Sequence, residues 1–209
     1  MRERPILFSS PMVRAILAGR KTQTRRIVKP QPHGGVRHSP FVPSGLEDGH
    51  GHELRPPYGQ PEDRLWVRET WALSGWAADQ KPAEYQHPEA ALRNNLLFRA
   101  DADGYDDCMQ HWRPSIHMPR WASRITLEIT GVRVERLQDI CEADALAEGI
   151  ERPEDIRNID VWDGAERALF NGLNQPVTQF RRLWESINGP GAWGANPWVW
   201  VVEFRRAQP

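Results

Sequence analysis

Gly19-Arg20-Lys21-Thr22-Gln23-Thr24-Arg25-Arg26 places one lysine, two threonines and three arginines directly behind a short apolar segment. The chain holds only three lysines, Lys21, Lys29 and Lys81, against 24 arginines. A sequence that meets nearly all of its need for positive charge with arginine has used lysine here. Arginine stays charged in proteins, whereas a desolvated lysine can lose its proton and act as a base or nucleophile. Lys21 is therefore a candidate for chemistry, with Thr24 the nearest nucleophile. The competing reading is a solvated basic loop.

Upstream, residues 11–18 read as a helix. Ser10 suits the N-cap, Pro11 the first helical position and Gly19 the stop, with Met12, Ala15 and Ile16 as the buried stripe. Downstream, an extended segment would send Thr22, Thr24 and Arg26 to one face and Gln23, Arg25 and Ile27 to the other. Residues 29–63 are rich in Pro, Gly and His and predict a long irregular loop. Its four histidines, His33, His38, His50 and His52, match no zinc-ligand spacing, so solvated loop histidines and no metal are expected.

Arg64–Trp71 predicts a strand with Leu65, Val67 and Glu69 on one face and Trp66, Arg68 and Thr70 on the other. A carboxylate among aliphatic neighbours either reaches water at the strand end or pairs with a buried cation such as Lys21. Residues 72–95 predict a loop with a short helix, and Leu96–Ala100 a short strand. Asp101, Asp103, Asp106 and Asp107 lack the bidentate Glu of a calcium loop and read as a polar turn. Arg124–Thr130 alternates with Ile125, Leu127 and Ile129 inward, and the phase switches to Val132 and Val134 after Gly131, as at a β-bulge. Asp139-Ile-Cys-Glu142 has the form of a capping box, heading a helix with Ile140, Ala143, Ala147 and Ile150 on its core stripe. Residues 151–176 are polar, with a helical turn around Ala165–Phe170. Val177, Phe180, Leu183, Trp184 and Ile187 mark an amphipathic helix, and Trp198–Phe204 a central strand.

At 209 residues, with 39% hydrophobic residues and ten tryptophans, a single cored domain is the expectation. The net charge of −1 argues against bulk binding to long duplex nucleic acid but leaves room for a local basic pocket. Cys108 and Cys141 form neither a disulfide framework nor a Cys-x-x-Cys motif. No signal-peptide pattern and no apolar run approaching the ~20 residues of a membrane span are seen, so a cytoplasmic protein without membrane contact is expected. Nothing in the sequence calls for a cofactor or identifies a protein partner. Short strands, a bulge and a few packed helices predict an α+β domain with a small, strongly bent sheet or barrel.

With these elements in place the chain resembles the ASCH family, a branch of the PUA-like barrel superfamily. Gly19-Arg-Lys21-Thr-Gln-Thr24-Arg-Arg26 matches that family's Gly-x-Lys-x-x-(Thr/Glu)-x-Arg signature after a short helix. Gly59-Gln-Pro-Glu-Asp-Arg-Leu-Trp66 is similar to its Pro-Gly-Asp turn before a strand, with Glu62 where Gly is common. The strand and helix over Ile125–Ile150 and the strand Trp198–Phe204 complete the likeness, leaving insertions at about 30–60, 74–118 and 151–176. The whole chain also resembles phage and prophage proteins of Gram-negative bacteria.

The resemblance implies a PUA-like β-barrel with flanking helices, and a nucleoside, nucleotide or RNA as partner. One branch of the family hydrolyses N4-acetylcytidine, and its catalytic Lys, Thr and Glu fall on Lys21, Thr24 and Glu148. Amide hydrolysis needs a nucleophile, a base and a proton donor for the leaving amine. Lys21 would activate Thr24, and Glu148, near a helix C-terminus where the dipole works against negative charge, would serve the leaving amine and then water. Arg26 would stabilise the oxyanion or hold a phosphate, with Arg25 as a further substrate contact. Trp66 and Trp71, together with Arg68 and Glu69, are the expected substrate-binding residues on the next strand; Glu69 is also the rival to Glu148. The alternatives are a non-catalytic reader of RNA or of a modified base, and a metal-independent ribonuclease.

Overall fold

The computed structural model describes residues 1–74, 90–102, 111–151 and 175–207. Its elements are β1 (Glu3–Leu7), α1 (Ser10–Leu17), β2 (Gln23–Ile27), β3 (Val36–His38), β4 (Leu46–Asp48), β5 (Arg64–Arg68) and β6 (Trp71–Leu73). There follow α2 (Ala90–Asn94), β7 (Leu96–Phe98), β8 (Thr126–Arg136), α3 (Glu142–Ala147), α4 (Pro176–Asn188) and β9 (Trp198–Arg206). The fold is mixed α+β. The turn read at Ala165–Phe170 and the aspartates 103, 106 and 107 lie outside the described residues. So do most of the insertion read at 151–176 and parts of that at 74–118.

Two compact units make up the chain, and β8 and β9 each contribute residues to both. One comprises Met1–Gly19, Tyr58–Thr130 and Phe204–Pro209. In it β5 pairs parallel with β1 and antiparallel with β8, so Leu65 lies opposite Leu127. Alternation in β5 follows the sequence: Leu65, Val67 and Glu69 are buried and Trp66 and Arg68 half-buried. Ile125, Leu127 and Ile129 are buried as expected. β6 and β7 form a hairpin-like pair over a second core of Trp71, Leu73, Leu92, Met118 and Ala122. In α1 the buried stripe is Val13, Ala15 and Ile16 rather than Met12, Ala15 and Ile16; Ser9, not Ser10, is the N-cap, and the helix starts one residue earlier.

The turn into β5 carries a departure from ordinary backbone geometry. Glu62 has φ +75°, the left-handed region in which a side chain is disfavoured. This is the position where the Pro-Gly-Asp pattern has glycine. Asp63 fixes the turn by accepting the N–H of Arg2 at 2.7 Å and of Gln60 at 3.3 Å, and the first of these holds its carboxyl below the usual range.

The other unit comprises Arg20–Pro57 and Gly131–Glu203. Here β9 lies between β8 and β2, with Thr24 opposite Val202 and Arg25 opposite Val201. Its core gathers Leu137, Ile140, Ala145, Phe180, Trp184, Val199 and Val201. Ile187, expected on the buried stripe of α4, is 56% exposed at the far end of the helix.

Two expectations are corrected in this unit. Asp139 does not cap the helix: its carboxylate accepts the Arg136 N–H in a 3₁₀ turn, Cys141 is the N-cap of α3, and Ala145 rather than Ala143 faces the core. β8 spans Gly131, whose lack of a side chain admits Glu203; a Cβ there would stand 2.6 Å from Glu203 Oε2. The segment read as one irregular loop contains the antiparallel pair β3 and β4. Asp48 organises the turn that follows β4, accepting the backbone N–H groups of His50 and His52 at 2.9 Å and of His33 at 3.4 Å. Around it the His33 and His50 rings stack with centroids 5.4 Å apart.

Candidate functional site

β2 brings the signature into the second unit. Its pleat alternates about the backbone, and cross-strand partners share a face. Gln23, Arg25 and Ile27 therefore face the side of Val201 and Val199, where α3 and α4 pack. Thr24 and Arg26 face the other side with Val202 and Trp200. Thr24 is 3% exposed and Arg26 half-buried. Lys21 precedes the strand. It forms an isolated bridge with Glu148, reinforced by the Thr22 N–H donating to the Ala147 carbonyl at 2.8 Å.

That bridge joins two of the three residues expected to be catalytic. Lys21 Nζ donates to Glu148 Oε2 and to the Glu148 carbonyl, each at 2.8 Å. Burial pushes the Lys21 pKa down from its usual value. The Glu148 carboxylate opposes the shift, and the charges of Arg26 and Arg25 add to it. A lysine in this setting releases its proton more readily than one in water, which is what a base requires.

Glu148 is the C-cap of α3 and also accepts from Arg25 Nη1 at 3.1 Å. Arg25, expected to contact substrate, directs its guanidinium to three carboxylates. Besides Glu148 these are Glu135, at 2.6 Å from Nη2, and Asp144, at 3.1 Å. Its planar end lies 5.8 Å from the Phe180 ring centroid. The network continues outward. Gln23 Nε2 donates to the Asp144 carbonyl at 2.9 Å and to Oδ1 at 3.1 Å, and Arg133 reaches Glu135, Asp144 and Glu203. Burial alone would raise the Asp144 carboxyl, but the Gln23 hydrogen bond and the charge of Arg25 bring it below its usual value.

The remaining expected residues belong to the first unit. Trp66 is half-buried with the guanidinium groups of Arg68 and Arg120 at 5.2 and 5.9 Å from its ring centroid. Arg68 Nε also donates to the Met118 carbonyl at 2.9 Å. Trp71 is 1% exposed, a core residue with Arg113 over its ring and Trp121 edge-on. Glu69 is gripped in bidentate fashion by Arg124, at 3.0 and 3.1 Å. Its cation is thus Arg124 rather than Lys21. Burial pushes the Glu69 carboxyl up, Arg124 opposes this, and the neighbouring Asp101 adds to it.

Sequence reasoning missed Gln23, Glu135, Asp144 and Arg133. One signal was available: Arg25 shares a strand face with Ile27, so it had to point inward and needed carboxylates. Their identity was not readable, because Glu135 lies 110 residues away. Among the described residues, no group of histidine, cysteine and acidic side chains is arranged to hold a metal ion, and no helix is long and apolar enough to cross a membrane.

No family model matches the chain, and no curated protein matches it. Among solved structures the chain is similar to the crystal structure of an ASCH domain from Lactobacillus crispatus JV V101. The match covers 98% of this chain and 79% of that one, at 13% identity and a TM-score of 0.35.

Proposed function

We propose that the protein is a PUA-like domain of ASCH type that hydrolyses an acylated nucleoside, with N4-acetylcytidine as the model substrate. The observation that carries this reading is the buried Lys21–Glu148 pair, three residues before a buried threonine. The signature Gly19, Lys21, Thr24 and Arg26 supplies the family resemblance. Moving the Lys21 proton along its 2.8 Å contact to Glu148 yields a neutral amine and a carboxylic acid together. The amine then takes the Thr24 hydroxyl proton as Oγ attacks the acetyl carbonyl. The acid gives its proton to the exocyclic nitrogen as the C–N bond breaks, releasing cytidine. Water, deprotonated by Glu148, cleaves the acyl-threonine to acetate, and the Lys21 ammonium returns its proton to Thr24 Oγ as that oxygen leaves. Arg26, on the Thr24 face, stabilises the oxyanion.

The test is chromatographic detection of cytidine and acetate from N4-acetylcytidine with the purified protein and with Lys21→Ala. Turnover by the wild type that is lost in the variant supports the proposal; no turnover, or equal turnover in both, overturns it.

One observation favours a second reading, a non-catalytic module that binds the modified base. The pleat places Thr24 on the face opposite Arg25, beside Val202, rather than on the side where Arg25 meets Glu148. Under that reading N4-acetylcytidine binds without turnover, and binding survives Thr24→Ala.

A further inference from the structure

Glu148 has two oxygens and two cations. Oε2 meets Lys21 at 2.8 Å and Oε1 meets Arg25 at 3.1 Å. Arg25 is not free to follow Glu148, because Glu135 and Asp144 fix its Nε and Nη2 and the Phe180 ring lies beneath its Cζ. Its side chain and that of Lys21 are both shut off from solvent. Arg25 occupies one of the variable positions of the signature, so nothing in the proposed chemistry assigns it a part.

We infer that Arg25 is a positioning residue. Anchored by Glu135 and Asp144, its guanidinium holds Glu148 with one oxygen turned to Lys21, and leaves Lys21 only a share of that carboxylate's charge. The inference deepens the proposed function and rests on it for its catalytic meaning, since Lys21 is the base of that reaction.

The charged groups around Lys21 set the sign of the effect. β2 presents Arg25 and Arg26, and α3 and its cap present Asp144 and Glu148. β8 presents Arg133 and Glu135, β9 presents Glu203, and α4 presents the uncharged Phe180. Removing Arg25 takes away a repelling charge and returns the whole Glu148 carboxylate to Lys21. Both changes favour the ammonium. Neutralising Glu135 acts oppositely, because Arg25 then bears on Glu148 and Lys21 with less of its charge offset.

Three lysines make the measurement direct. Protein labelled with 13C at lysine Cε gives three side-chain signals, and Lys21→Met identifies one of them. The expected result is a Lys21 midpoint below the ordinary lysine value in the wild type, raised by about one pH unit in Arg25→Gln and lowered in Glu135→Gln. Should Arg25→Gln fail to fold, Glu135→Gln, nearly the same in shape, decides alone. An unchanged midpoint, or a shift of the opposite sign, in either folded variant overturns the inference. The readout does not need turnover. Absence of hydrolysis therefore removes the proposed reaction, while the lysine titration still judges the role of Arg25. If hydrolysis occurs, the acid limb of its pH–rate profile moves with the Lys21 midpoint in both variants; a limb that stays fixed also overturns it.

Discussion

Lys21 Nζ stands 2.8 Å from both the carboxylate and the main-chain carbonyl of Glu148, with the two side chains almost entirely closed to solvent. Removing one partner of a buried pair strands the other, at roughly 3–5 kcal/mol. Glu148→Gln, which leaves Lys21 and Arg25 facing a neutral amide, is expected to lower unfolding free energy by about 3 kcal/mol. Lys21→Met costs less, because Glu148 keeps Arg25. Urea denaturation of the two variants checks the order, and an equal loss in both would contradict it.

The depressed pKa of Lys21 also makes stability depend on pH. Between the folded value and the ordinary lysine value the unfolded chain binds the extra proton, so stability rises with pH across that window. Below the folded value the full penalty of the buried ammonium is present. The stability of the wild type relative to Lys21→Met should therefore improve as pH is taken from neutral toward 10. A flat difference across a series of urea midpoints would exclude this.

Glu69 has the opposite sign. Burial raises its carboxyl above the usual 4.5 in the folded state, so the folded chain binds the extra proton between those two values. The favourable contribution is complete below the unfolded value and is lost as pH rises through the folded one. Glu69→Gln should remove this slope. Arg124→Met should steepen it and lower stability at neutral pH by about 2 kcal/mol, since a buried carboxylate loses its bidentate partner. Thermal melts between pH 4 and 8 separate the two.

At the turn before β5, Glu62 is held at φ +75°. The left-handed region costs a residue with a side chain roughly 1–2 kcal/mol, and glycine gives back part of that through its freedom when unfolded. Glu62→Gly is expected to stabilise by up to about 1 kcal/mol. Gly59→Ala, with φ +115° and a Cβ 2.9 Å from Asp63 Oδ2, is expected to destabilise. A shift of the denaturation midpoint in the same direction for both would refute the assignment of strain to Glu62.

Thr24→Val keeps shape and burial while deleting the hydroxyl. If Thr24 is the nucleophile, turnover of N4-acetylcytidine falls by at least a factor of about 10³, with substrate binding within a few-fold of wild type. A variant that retains a tenth of the activity assigns the attack to water.

Much of the fold was legible wherever one physical signal dominated. Alternation of Leu65 and Val67 against Trp66 and Arg68 located β5 and its buried face, and the apolar run Val199–Val202 marked a strand covered on both sides. Local chemistry misled where two patterns competed. Asp139 and Glu142 have the spacing of a capping box, yet the 3₁₀ turn that ends at Asp139 takes its carboxylate for itself. The Pro, Gly and His content of residues 29–63 hid β3 and β4, whose three-residue strands are too short to show apolar periodicity. In the site, the signature singled out Lys21 and the likeness of the helix after β8 singled out Glu148, two residues that meet at 2.8 Å. The reading stopped short of Glu135 and Asp144, because long-range charge pairing leaves no period in a sequence.

Asp48 is followed by Gly49, and an aspartate before glycine is open to rearrangement through a cyclic imide because glycine has no side chain to hinder the attack. That reaction needs the Gly49 nitrogen to swing onto the Asp48 carboxyl carbon. Here the Gly49 N–H is turned to the His33 carbonyl at 2.7 Å, while the carboxyl is tied to the N–H groups of His50 and His52. The same few hydrogen bonds that shape the turn after β4 therefore protect its backbone from chemical ageing. Partial unfolding of this turn would register as isoaspartate at residue 48.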